Sequence, residues 1–116
     1  SISHPFDGWR SGAWQEQHLL EILPLIDAVE VFNARCLRAI PNIQAQKFAV
    51  SHNLPGTAGS DAHAPFEVGA ACLDLPSFED AEGLCSVIRE ARVVGKLSPW
   101  WVHFLSRVAR LRKKVV

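Results

Sequence analysis

The chain has 116 residues, a formal net charge of zero, 48% hydrophobic and 21% charged residues. That balance excludes a disordered polyion and supplies apolar bulk for one domain or part of one. Its 3 cysteines lack CxxC spacing, nothing at its start resembles a signal peptide, and it has no apolar run of about 18 residues, so a disulfide framework, a zinc ribbon and a bilayer span are not expected; reduced thiols and a cytoplasmic location are.

Residues 1–3 read as the tail of a strand that enters a loop over residues 4–12. Pro5 biases His4 toward extended backbone. Residues 15–23 read as a short helix with Leu19, Leu20, Ile22 and Leu23 on its apolar side, and Pro24 ends it or opens the next segment. Residues 28–32 are rich in β-formers and predict a strand. Residues 41–53 predict a helix with Pro41 in its first turn, Ile43, Phe48, Ala49 and Val50 as apolar bulk, and Asn53 at its end. Residues 57–59 predict a brief buried strand and residues 70–73 another. Residues 78–92 predict a helix capped by Ser77, with Glu79, Asp80 and Glu82 near the positive end of its dipole. Residues 99–114 predict a last, amphipathic helix. Strand–helix alternation predicts parallel strands with crossover helices, whose sites lie at the C-terminal strand ends.

Charge is unevenly spread. Residues 103–116 carry Arg107, Arg110, Arg112, Lys113 and Lys114 without an acid, whereas the rest of the chain holds 12 acids against 7 bases. The basic stretch is expected to be a solvated helix face, with an anion-facing or membrane-surface patch as alternatives.

Gly59-Ser60-Asp61-Ala62-His63 carries the most chemical information. Alternate residues of an extended strand share a face, so Asp61 and His63 can point into one pocket. His4 stands at another expected strand end. Imidazole and carboxylate together suit Zn²⁺, Mn²⁺ or Fe²⁺. Taken alone, Asp-x-His is a weak motif that a capped turn also explains.

Three further stretches join it: Ser3-His4-Pro5-Phe6-Asp7, Asp27-Ala28-Val29-Glu30-Val31-Phe32-Asn33-Ala34-Arg35 and Glu67-Val68-Gly69. In order and interval they resemble the C-terminal part of a PHP (polymerase and histidinol phosphatase) domain of the metal-dependent phosphoesterase type. The resemblance runs from residue 1 to about Trp100. It implies a distorted barrel of about seven β/α units, of which this α/β chain would be the C-terminal portion, residues 1–116 forming one part of a single domain. It also implies two or three divalent ions and hydrolysis of a phosphate ester by metal-activated water. His4 matches the histidine of the family's third motif, and Asp61 and His63 match the pair of its fourth. All three are metal ligands in the family pattern.

The family's N-terminal ligand motifs are absent, and no His-x-His occurs. A complete β/α barrel needs about 200 residues or more. The chain is therefore expected to be a fragment or a truncated product, with the missing N-terminal half of the domain as its partner. The alternatives are a non-catalytic remnant, or an interaction module using the basic C-terminal helix. Exposed strand edges of such a piece favour self-association.

Other residues carry weaker expectations. Arg35 could clamp a phosphate and Asn33 could contact substrate. Glu30, Ser60 and Asp7 are candidates to support the ligands. Glu30 could instead pair with Arg35, Asp7 and Arg10 could simply make the turn, and no nucleophile apart from metal-activated water is expected. His18, His52 and His103 read as exposed or structural, Cys36, Cys72 and Cys85 as small core residues, and Trp100-Trp101 as packing. The substrate is expected to be a small phosphorylated metabolite or a nucleotide.

Overall fold

Val29, Val31 and Phe32 favour extended backbone, and in the computed structural model, which describes residues 1–9 and 14–104, they form the central strand β1 (Val29–Asn33). The other elements are α1 (Glu16–Ile22), α2 (Ile40–Ser51), β2 (Gly56–Gly59), β3 (Ala71–Asp74), α3 (Ala81–Val87) and β4 (Arg92–Gly95). Three short 3₁₀ turns, Leu23–Leu25, Pro65–Glu67 and Ile88–Glu90, join them.

β1 runs parallel to β2, with Val29 opposite Gly56 and Asn33 opposite Gly59, and the register slips between Glu30 and Phe32. On the other side of β1 the chain start adds one parallel bridge, Ile2 to Val29. Ile2 N–H donates to Ala28 O (3.1 Å), and Glu30 N–H donates to Ile2 O (2.8 Å). Three adjacent segments therefore run the same way, and their C-terminal ends lie side by side.

α2 crosses from β1 to β2. Its buried residues are Asn42, Ala45, Phe48 and Ala49, which recur at helical spacing. Phe48 meets the edge of Phe6 at a ring separation of 5.6 Å and joins Ile2, Leu19, Val29 and Val31 in the core. Ile43 and Val50, expected to supply apolar bulk, face outward instead, because the stripe that contains Phe48 passes through Ala45 and Asn42. The helix ends as its sequence suggests: Asn53 takes a left-handed φ of 53°, its N–H reaches Val50 O (3.2 Å), and Leu54 N–H reaches Ala49 O (2.9 Å).

The C-terminal strands depart from expectation. β3 and β4 pair antiparallel, Ala71 opposite Gly95 and Asp74 opposite Arg92. The helix expected to reach Arg92 stops at Val87, and the Arg92-Val93-Val94-Gly95 run forms a strand, as its β-branched pair favours. A side chain at Gly95 would strike Ala71, so the close pairing needs glycine there. The cap of α3 is Asp80 rather than Ser77, its Oδ1 accepting from Gly83 N–H at 2.7 Å. Leu20 is exposed, whereas Leu19 is fully buried.

The chain is thus mixed α/β, and among the described residues the strands make two two-stranded sheets that do not close into a barrel. Residues 101–104 begin the expected last helix, whose basic residues Arg107, Arg110, Arg112, Lys113 and Lys114 lie outside the described residues, as does Arg10. Among the described residues no helix is long and apolar enough to cross a membrane.

Candidate metal centre

The sheet brings three predicted site segments to one end. His4 follows the Ile2 segment, Asn33 closes β1, and Asp61 and His63 follow β2. Ala34 N–H donates to Gly59 O (2.9 Å), tying the loop after β1 to the end of β2. Open α/β sheets place ligands at such carboxyl ends.

Two of the three expected ligands sit on uncommon backbone. His4 has φ 35° and Asp61 has φ 50°. For non-glycine residues that conformation costs about 1 kcal/mol or more, and it clusters at functional sites. The extended geometry that Pro5 suggested for His4 is overridden by the turn closed by Asp7 N–H on His4 O (3.3 Å) and by Glu30. Glu30 Oε2 accepts His4 N–H at 2.6 Å and Asn33 Nδ2 at 3.1 Å. The other oxygen, Oε1, occupies the space that a Cβ on Gly59 would need. Glycine at that position therefore lets the carboxylate of β1 lie against β2.

Asn33 is the centre of a second set of bonds. Its N–H donates to Asn42 Oδ1 (2.9 Å), its carbonyl accepts from Asn42 Nδ2 (3.1 Å), and its own Oδ1 accepts Arg35 N–H (2.9 Å). Arg35 is buried and directs Nη1 at both oxygens of Glu67, at 3.1 and 3.2 Å, and Nη2 at Val102 O, at 3.3 Å. Glu67 Oε2 also accepts His63 N–H at 3.1 Å. The pair that forms is thus Arg35–Glu67, whereas Glu30 serves His4 and Asn33.

His63 is oriented by its own loop. Nδ1 lies 2.8 Å from Asp61 O. A carbonyl only accepts, so this contact calls for a proton on Nδ1, which in the neutral ring leaves the lone pair on Nε2. That is the tautomer a metal-ligating histidine uses when its other nitrogen donates to a backbone carbonyl.

In donor type these residues fit a divalent ion: two imidazoles and a carboxylate that follow adjacent strands. The structure does not gather the three into one site: among the described residues no group of three or more His, Cys, Asp or Glu side chains is arranged to hold an ion. Ser60 is half-buried between Gly59 and Asp61. Asp7 is buried and accepts Trp9 N–H at 3.4 Å, which is turn chemistry. Asn33 and Arg35, expected to meet substrate, are 1% and 3% exposed and engaged with Asn42, Glu67 and the backbone.

Sequence reasoning gave no role to Glu67 or Asn42. Asn42 shares the helical face of Ala45 and Phe48, so periodicity alone marks it as buried and in need of partners. Glu67 has a weaker mark, a carboxylate four residues after His63 with no basic neighbour nearby in sequence. Of the other expectations, His18 is exposed and His52 stacks near Phe48, ring centres 4.4 Å apart. Cys36 is buried, but Cys72 and Cys85 are exposed, since β3 and the short α3 leave those faces uncovered. Trp101 packs on Phe66 (5.5 Å between ring centres), and Trp100 faces outward.

Residues 39–93 match a family model described as PHP-associated. An uncharacterized protein of Methanocaldococcus jannaschii, MJ0417, is 38% identical over 73 residues, covering 60% of this chain and 31% of that relative's length. No solved structure matches the chain. The family match begins at the start of α2, ends in β4 and includes Asp61, His63 and Glu67; it covers just under half of the chain and supports kinship with a C-terminal, PHP-associated part.

Proposed function

We propose that the chain is part of a metal-dependent phosphoesterase, with His4, Asp61 and His63 as its share of the ligands. One observation carries the reading: the three residues follow three adjacent parallel segments, and His63 Nδ1 lies 2.8 Å from Asp61 O, the contact that a neutral ring makes with its lone pair on Nε2. The left-handed backbone at His4 and Asp61 supports it. Divalent ions of the Mn, Zn or Fe type bound there would polarise phosphoryl oxygens and activate the attacking water.

The chain's own residues hold and aim the donors. Glu30 fixes the His4 turn, Asn33 fixes Glu30, and Asp61 supplies negative charge beside His63. The remaining ligands would come from the N-terminal half of the domain, completing the distorted barrel. The proposed substrate is a small phosphate ester or a nucleotide, and the isolated piece would self-associate through its exposed edges.

A second reading, a remnant without turnover, is favoured by the incomplete ligand group among the described residues. Phosphatase assay of the intact protein on a chromogenic phosphate monoester separates the two. The enzyme reading predicts turnover that needs added Mn²⁺, is abolished by chelator and falls by about 100-fold or more in His63→Ala. Absence of turnover with every divalent ion tried would favour the remnant.

A further inference from the structure

Glu67 is 3% exposed, in the turn Pro65–Glu67, and does two things at once. Its carboxylate accepts the backbone N–H of His63 at 3.1 Å and takes both bonds from Arg35 Nη1. Arg35 is in turn tied to the end of β1 through Asn33 Oδ1 and to the start of the last helix through Val102 O. A chain of bonds therefore runs from two separate elements to the main chain of one expected ligand. The contact of His63 Nδ1 with Asp61 O, at 2.8 Å, then sets the direction of the ring.

We propose that Glu67 is a positioning residue for the Asp61–His63 loop: held by Arg35, it fixes the His63 backbone and so aims Nε2. The proposal rests on the metal reading above. It differs from a merely structural ion pair, which would alter stability and leave ion affinity in the folded protein unchanged. Removing Glu67 alone would strand a buried guanidinium and threaten folding, so the pair is removed together or shortened.

The test is Mn²⁺ titration of the intact protein, followed by loss of the free-ion EPR signal, with thermal melting and amide exchange at His63 measured alongside. The variants are His63→Ala, the double variant Arg35→Met with Glu67→Met, and Glu67→Asp, which keeps the charge for Arg35 but withdraws the oxygen from His63 N–H. Expected are affinity losses of about 10- to 100-fold for His63→Ala and the double variant, and of about 10-fold for Glu67→Asp, with faster His63 amide exchange in both Glu67 variants. A folded double variant or Glu67→Asp protein with wild-type Mn²⁺ affinity would overturn the proposal while His63→Ala still upheld the metal reading. Should the double variant fail to fold, Glu67→Asp decides alone. A wild-type protein that takes up no Mn²⁺ overturns both.

Discussion

Replacing Asn42 by alanine tests how the end of β1 is held. The substitution removes two bonds to Asn33, from its N–H (2.9 Å) and to its carbonyl (3.1 Å). The losses are unequal. The carbonyl keeps Cys36 N–H at 3.3 Å, whereas the N–H is left in a residue only 1% exposed. A buried donor without a partner costs about 1–3 kcal/mol. Alanine's better helix propensity returns about 0.5 kcal/mol. The net loss is therefore about 0.5–2.5 kcal/mol, a fall in Tm of about 2–12 °C for a domain of this size. Urea denaturation measures it, with an unchanged m-value showing that the unfolded state is the same. Gln44→Ala, exposed on the same helix, serves as control and should stay within about 0.5 kcal/mol. An Asn42→Ala protein as stable as the control would refute the reasoning.

Gly59→Ala drives a methyl group into Glu30 Oε1, and the carboxylate cannot swing away without releasing His4 N–H and Asn33. A loss of about 1–3 kcal/mol is expected by calorimetry, and a change under about 0.5 would mean that the carboxylate moves freely. Asp80→Ala removes the bond to Gly83 N–H and should cost about 1 kcal/mol in thermal melts, with Asp80→Asn recovering most of it. Arg92→Ala breaks an exposed pair with Asp74, so a destabilisation above about 1 kcal/mol would contradict its assignment as a surface bridge.

Where local chemistry decides, the sequence was legible. The β-branched run at Val29, Pro41 in the first turn of α2 and Asn53 at its end all follow from backbone preferences that act within a few residues. That the segments carrying His4, Asn33 and Asp61 with His63 follow strands of one sheet was legible from strand–helix alternation. The antiparallel β3–β4 pair was not, because Leu84, Val87, Ile88 and Ala91 continue a helical stripe past the point where the chain turns. The Arg35–Glu67 pair spans 32 positions in sequence and depends on the Pro65–Glu67 turn, which local spacing does not reveal. The left-handed conformation of His4 was hidden for a related reason: Pro5 biases it one way, and Glu30, 26 residues distant, holds it in another.

Anomalous diffraction from crystals of the intact protein soaked in Mn²⁺ tests the central claim most directly. The account predicts a manganese peak in contact with the side chains of His4, Asp61 and His63 together. A peak elsewhere, or an imidazole of His4 turned away from an ion held by Asp61 and His63, would contradict it.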